Sequence, residues 1–290
     1  MALKAPLPLI LIAAVLLLGL LINPVDQVIA GWPAIVFIFA VVMVLQAVGF
    51  THAWLQHTER LYDLFGSLSF VVAVVLALAL APSLSLYPMV MAAMVIIWAV
   101  RLGSFLLLRI IDVGEDRRFR SIKQSFWSFL TIWTLQGVWV CVTSSAALVA
   151  ITASGRSPDW LLATLGAALW FAGFVLEVIA DRQKQRFRTN PANTGQFICS
   201  GVWALCRHPN YLGEIVLWTG IFIAAMSMLA GWQFLTVLSP VLVAVLLTKV
   251  SGIPALARRG TMRWGDDPAY QAYLARTPLL VPRLFGARRP

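Results

Sequence analysis

Apolar runs long enough to cross a bilayer recur along the whole chain, near residues 7–23, 31–50, 64–82, 87–108, 128–152, 159–180, 211–229 and 232–250. A spanning helix needs roughly 17–25 predominantly apolar residues. In hydrocarbon an irregular backbone would leave N–H and C=O groups unpaired, so each run reads as a helix. The first run follows Lys4, as a secretory signal would, but no small-x-small cleavage site precedes Asn23-Pro24, and it too reads as a helix. The pattern predicts an all-α fold, a polytopic transmembrane helical bundle of seven to eight helices.

Composition supports this reading. Hydrophobic residues make up 60% of the 290 and charged residues only 12%, with a mean hydropathy of +0.85. Soluble domains carry about 25% charged residues, so lipid must cover most of this molecule. The net charge of +10 would suit nucleic acid, but its placement argues otherwise. Of 22 Lys and Arg, six lie in 101–123, five in 181–208 and eight in 249–290, whereas the short connections near 24–30, 83–86, 154–158 and 230–231 hold only Arg156. That alternation is the positive-inside pattern. It puts 51–63, 101–127, 181–210 and the C-terminal tail on the cytoplasmic side of a multi-pass protein, with a bacterial inner membrane as the expected location. Cys141, Cys199 and Cys206 form no CxxC pair and no metal-ligand spacing with the three histidines, so neither a metal site nor a disulfide framework is expected.

Ionisable groups at membrane depth are costly and mark sites. Glu177 and Asp181 lie four apart at the end of the sixth run, Glu214 sits inside the seventh, and Arg101 lies within the fourth. Glu59 and Asp63 form another i, i+4 pair where the third begins, with Tyr62 beside them. The segment from Asp181 to Glu214 carries the most information. Its Arg182, Lys184, Arg186 and Arg188 occupy several helix faces, Asn190-Pro191 breaks the helix, and Pro209 fits the first turn of the next one. Free N–H groups at that helix start, with Arg nearby, make a seat for phosphate. A loop that merely contacts anionic lipid needs Lys and Arg, but has no use for Trp203, His208, Asn210 and Tyr211 together.

The run from Ala180 to Glu214 resembles the C-terminal domain of the steroid 5α-reductase (3-oxo-5α-steroid 4-dehydrogenase) family, and its bacterial homologues in particular. The matching residues are Ala180-Asp181-Arg182-Gln183, Asn190-Pro191-Ala192-Asn193, Gly201-x-Trp203 and Arg207-His208-Pro209-Asn210-Tyr211-x-Gly213-Glu214. Further matches are Gly114-Glu115-Asp116-x-Arg118-Phe119, Leu135-Gln136-Gly137, Ser251-Gly252-Ile253-Pro254 and Tyr270-x-x-Tyr273 before Pro278 and Pro282, so the likeness covers roughly 55–285. It divides the chain into N-terminal membrane helices, 1–54, and a membrane-embedded reductase domain with cytoplasmic cofactor loops, 55–290. It implies NADPH held by Asp181, Arg188, Asn193, Trp203, Arg207, His208, Asn210, Tyr211 and Glu214, with Asp116 and Arg118 closing over it from the second loop. The reaction implied is hydride transfer to the C4=C5 double bond of a 3-oxo-Δ4 steroid or similar apolar enone.

Negative charge then develops on the carbonyl oxygen, and a hydrogen-bond donor there stabilises the enolate. In the mammalian enzymes of the family a Glu and a Tyr on early helices take this part. Here the position of that Tyr falls near Trp98, so the catalytic residues are expected among Glu59, Tyr62 and Asp63. The expected partners are an apolar, steroid-like enone entering from the bilayer and membrane lipids, with no nucleic acid and no obligate protein partner. An S-adenosylmethionine-dependent methyltransferase of the isoprenylcysteine type is the alternative, because it shares the Arg-His-Pro element.

Overall fold

The structure, a computed structural model, describes residues 6–29, 31–114 and 119–282. The helices are α1 (Pro6–Ile22), α2 (Ala34–Leu55), α3 (Tyr62–Ala79), α4 (Leu86–Val113), α5 (Phe126–Thr152) and α6 (Trp160–Thr189), followed by α7 (Pro209–Ala225), α8 (Leu238–Val245), α9 (Ile253–Trp264) and α10 (Pro268–Arg276). Among the described residues the only strands, β1 (Val28–Ile29) and β2 (Trp32–Pro33), pair antiparallel between α1 and α2. Among the described residues seven stretches are long and apolar enough to cross a membrane: α2, α3, α5 and α6 entire, with Leu86–Ile111, Pro209–Met228 and Gly231–Trp264. The fold is an all-α polytopic helical bundle, and the protein an integral multi-pass membrane protein. The shorter α1 is also apolar.

The last run departs from a single helix. A 3₁₀ segment, Gly231–Val237, leads into α8, and five residues of π-helix, Leu246–Val250, follow before the chain bends at Ser251-Gly252. Extra residues in a helical turn of this kind occur frequently at functional sites.

The described chain forms two compact units: residues 1–167 with 221–239, and residues 168–220 with 240–290. In the first, α5 is the centre. It is apolar on all sides, as a buried helix should be, and α1, α2, α3 and α4 rest on it. Every residue from Val140 to Thr152 is buried, although four are Ser or Thr. Small side chains let neighbouring helices approach. Three of those hydroxyls serve their own helix: Ser144 donates to the Val140 C=O at 2.7 Å, Ser145 to Val142 at 2.8 Å and Thr152 to Leu148 at 2.8 Å.

At one end of this unit charged residues are paired. Glu59, buried, accepts from Lys123 Nζ at 2.8 Å, and Asp63 lies 3.6 Å from the Arg109 guanidinium. Arg60 Nε donates to the Gly114 C=O at 2.9 Å. These contacts fasten the turn between α2 and α3 to the end of α4 and to the 3₁₀ turn Ile122–Gln124. Because α3 starts only at Tyr62, Glu59 precedes the helix. The two carboxylates therefore do not form a helical i, i+4 pair, and each faces its own cation.

Candidate cofactor site

The second unit is built on a close crossing of α6 and α7. A Cβ placed on Gly173 would lie 2.5 Å from the Gly213 oxygen and 2.6 Å from the Leu217 nitrogen. One on Gly213 would lie 2.6 Å from the Gly173 oxygen and 2.8 Å from the Glu177 nitrogen. The obstacles are backbone atoms, which cannot rotate aside as a side chain can, so glycine at both positions lets the two backbones touch. This contact sets the register. Glu177 and Asp181, one and two turns beyond Gly173, are both buried. Asn210, one turn before Gly213, donates from Nδ2 to Asp181 Oδ1 at 3.4 Å.

The loop between these helices is fastened to α6 from several directions. The Trp203 indole N–H donates to the Ala180 C=O at 3.1 Å, while the Lys184 ammonium lies 4.7 Å over the same ring. Tyr273 donates to the Trp203 C=O at 2.8 Å. Burial, helped by Cys199 and Cys206, raises the Tyr273 hydroxyl to about 12, so it stays a donor. Gly201 takes a φ of +61°, and a Cβ there would meet the Gln183 carboxamide, which accepts from the Val202 N–H at 3.0 Å. Asn193 Nδ2 donates to the Phe187 C=O at 3.0 Å, closing the turn that follows Asn190-Pro191. The Arg207 N–H donates to the Pro278 C=O at 2.9 Å, which brings the C-terminal segment onto the loop.

Two buried polar atoms here have no hydrogen-bond partner among the described residues, Arg207 Nε and His208 Nδ1. An unmet buried polar atom costs about 1–3 kcal/mol; the Arg207 Nε–H fits an acceptor group brought by a ligand, and His208 Nδ1 fits an acceptor or a donor according to the ring's tautomer. Burial first, then the charges of Lys184 and Arg207, lowers the His208 imidazole to about 4. It is neutral at pH 7, its ring 5.5 Å from that of Tyr211 and nearly parallel to it. Arg182, Arg186 and Arg188 are exposed around this end of α6.

Of the expected cofactor residues, the structure thus brings Asp181 and Asn210 into contact, stacks His208 on Tyr211, and sets Trp203 beneath α6. Glu214 lies half-buried on α7, one turn beyond Asn210. Arg188 is exposed in the last turn of α6 and Asn193 serves its own turn. Asp116 and Arg118 lie outside the described residues. The expected catalytic residues belong to the first unit. There the Tyr62 hydroxyl donates to the Ile132 C=O at 3.2 Å, its ring edge-on to Trp133, and Glu59 and Asp63 hold the ion pairs described above. Sequence reasoning assigned no part to Gly173, Lys123 or Arg109. Only Gly173 carried a legible signal, the four-residue step Gly173–Glu177–Asp181.

Two predictions follow from this geometry. Gly213→Val should destabilise the protein by about 1–3 kcal/mol, the usual cost of overpacking, and part Asn210 from Asp181; an unchanged thermal midpoint in detergent would show that the backbones can separate freely. The folded-state value of His208 lies below its ordinary 6.5, so its contribution is complete above pH 6.5 and is lost as pH falls from there to about 4. That loss should be about 2 kcal/mol, allowing for partial exposure, and His208→Gln should flatten the slope of stability against pH in that window.

Comparison with known proteins gives the chain its relatives. It is 27% identical over 127 residues to a probable O-methyltransferase, ustE, of Ustilaginoidea virens, a match covering 37% of this chain and 44% of that protein. It is 34% identical over 80 residues to 3-oxo-5-alpha-steroid 4-dehydrogenase 1 of Bos taurus, covering 26% of this chain and 30% of the relative. The chain thus spans less than half the length of these curated relatives. No solved structure matches it. The family model described as "Protein of unknown function (DUF1295)" matches residues 49–277, and the chain belongs to that family, which includes steroid 5α-reductase-like membrane proteins.

Proposed function

We propose that this protein is an NADPH-dependent membrane reductase that delivers hydride to the C4=C5 double bond of a 3-oxo-Δ4 steroid or a similar apolar enone. The observation that carries this reading is the combination at the α6–α7 crossing. A buried carboxylate and a half-buried amide, Asp181 and Asn210, share the unit with the unpartnered Arg207 Nε and His208 Nδ1, among exposed arginines. A dinucleotide presents both kinds of complement. Its phosphates match Arg207 and the basic rim, since guanidinium binds phosphate bidentately. Its ribose hydroxyls and carboxamide match Asp181, Asn210 and Glu214. The similarity to 3-oxo-5-alpha-steroid 4-dehydrogenase 1 supports the same reaction class.

When bound, NADPH would supply the hydride. The chain's own residues must then hold the enone and donate to its carbonyl oxygen as charge develops there. Tyr62 is the proposed donor, exchanging its bond to the Ile132 carbonyl for one to the substrate, with Glu59 and Asp63 fixing the local field. Under this reading the basic loops face the cytoplasm of a bacterial cell, where NADPH is available, and the substrate enters from the inner membrane.

A second reading is an S-adenosylmethionine-dependent methyltransferase, favoured by the similarity to a probable O-methyltransferase. Charge separates the two. The sulfonium cofactor is a net cation whose single carboxylate is its only group for an arginine, whereas a dinucleotide brings several phosphate charges.

Titration of the purified protein with NADPH, NADH and S-adenosylmethionine tests the assignment. NADPH should bind, and Asn210→Ala or Glu214→Ala should weaken it about tenfold, as expected for losing a hydrogen bond to a charged or buried group. Binding of the methyl donor alone would sink the reductase reading. In turnover of an enone substrate, at least one of Glu59→Gln, Tyr62→Phe and Asp63→Asn should lower kcat by about 10²–10³ while NADPH affinity is kept. Wild-type rates in all three would remove these residues from the chemistry.

A further inference from the structure

The α9 helix presents its two sides to different surroundings. Ile253, Leu256, Gly260 and Trp264 recur at helical spacing along its buried or half-buried side. Trp264 donates from its indole to the Gly195 C=O and packs with Phe197 and Tyr270, ring centroids 5.9 and 5.7 Å away. That apolar stripe is therefore already covered within the second unit. The opposite side is exposed and carries Arg258, Arg259, Met262 and Arg263. These positions lie three and four apart, so they form one continuous face. Met262 is 73% exposed among the three arginines, of which Arg263 also lays its guanidinium 5.0 Å over the Trp264 ring.

The place of α9 along the chain limits where that face can lie. Gly231–Val250, which precedes it, is about 30 Å long at roughly 1.5 Å per residue, enough to cross the hydrocarbon by itself. The chain then bends at Ser251-Gly252, and α9 packs back against Leu246–Val250. Three arginines in twelve residues do not sit in hydrocarbon. α9 therefore begins where the hydrocarbon ends, and its outer face meets the headgroup layer. Lys249, exposed in the last turn of the span, adds to the same charge.

We propose that this outward face of α9 is a docking surface for anionic phospholipid headgroups of the leaflet in which the preceding span ends. Guanidinium groups complement lipid phosphate, and a methionine among them reaches the acyl boundary, the division of labour of an interfacial amphipathic helix. Anionic lipid holds α9 down, and α9 holds the Gly195–Phe197 segment of the candidate cofactor loop through Trp264. The proposal does not depend on which cofactor the loop binds.

Full-length protein in nanodiscs of phosphatidylcholine, with and without added phosphatidylglycerol, tests it by amide hydrogen exchange across residues 254–263. Exchange should slow at least about tenfold with the anionic lipid, and high salt should reverse the effect. The R258Q/R259Q variant, altered only at exposed positions away from the Trp264 ring, should keep its thermal midpoint in phosphatidylcholine yet gain no protection from phosphatidylglycerol. Equal exchange in the two lipids would overturn the proposal. So would full protection by phosphatidylglycerol in the arginine variant, which would assign the effect to other residues.

Discussion

The backbone contact between Gly173 and Gly213 is the constraint on which the candidate site depends. Two helices that touch main chain to main chain cannot slide or roll without a clash, so their register is fixed by sterics. Everything polar at that end of the unit follows from this register. Glu177 and Asp181 are carried under α7 because they lie one and two turns from Gly173, and Asn210 meets Asp181 because it lies one turn from Gly213. The apolar faces of α6 and α7 would have tolerated many other alignments, since one leucine packs much like another. Small residues choose among those alignments by allowing one approach closer than the rest.

Around that crossing the loop is held by hydrogen bonds to main-chain atoms. Trp203 to Ala180, Tyr273 to Trp203, Gln183 to Val202 and Arg207 to Pro278 each tie a segment distant in sequence to the next. Side-chain and main-chain groups committed in this way give rigidity, and the side-chain atoms that remain uncommitted, Arg207 Nε and His208 Nδ1, stand out against them. A loop held so firmly presents its unmet polar atoms in fixed positions, which is what recognition of a charged ligand requires.

Charge in this protein serves more than one purpose, and burial sorts the uses. Lys123 and Arg109 are matched to Glu59 and Asp63 and fasten connections in the first unit. Arg207 is half-buried with a donor to spare, whereas Arg258, Arg259 and Arg263 project outward. The same residue type is thus a fastening, a ligand contact or a surface anchor according to what lies opposite it. A count of basic residues per loop reports the topology they impose together and not these separate roles.

The sequence by itself determined the number and approximate limits of the apolar helices, the break at Asn190-Pro191 and the start of α7 at Pro209. These follow from local rules: backbone groups in hydrocarbon must pair within their own helix, and proline restricts its neighbours. It also determined that the polar residues of 181–214 would be gathered, because an Arg-rich segment between two spans has nowhere else to go. Tertiary structure alone decided that Glu59 faces Lys123, 64 residues away, and precedes α3 instead of sharing a helix face with Asp63. It decided as well that residues 221–239 belong with the first 167. The reason is physical. Hydropathy fixes where a helix lies along the chain, but a helix apolar on every side carries no sign of its rotation or its neighbour, and pairings between helices depend on both.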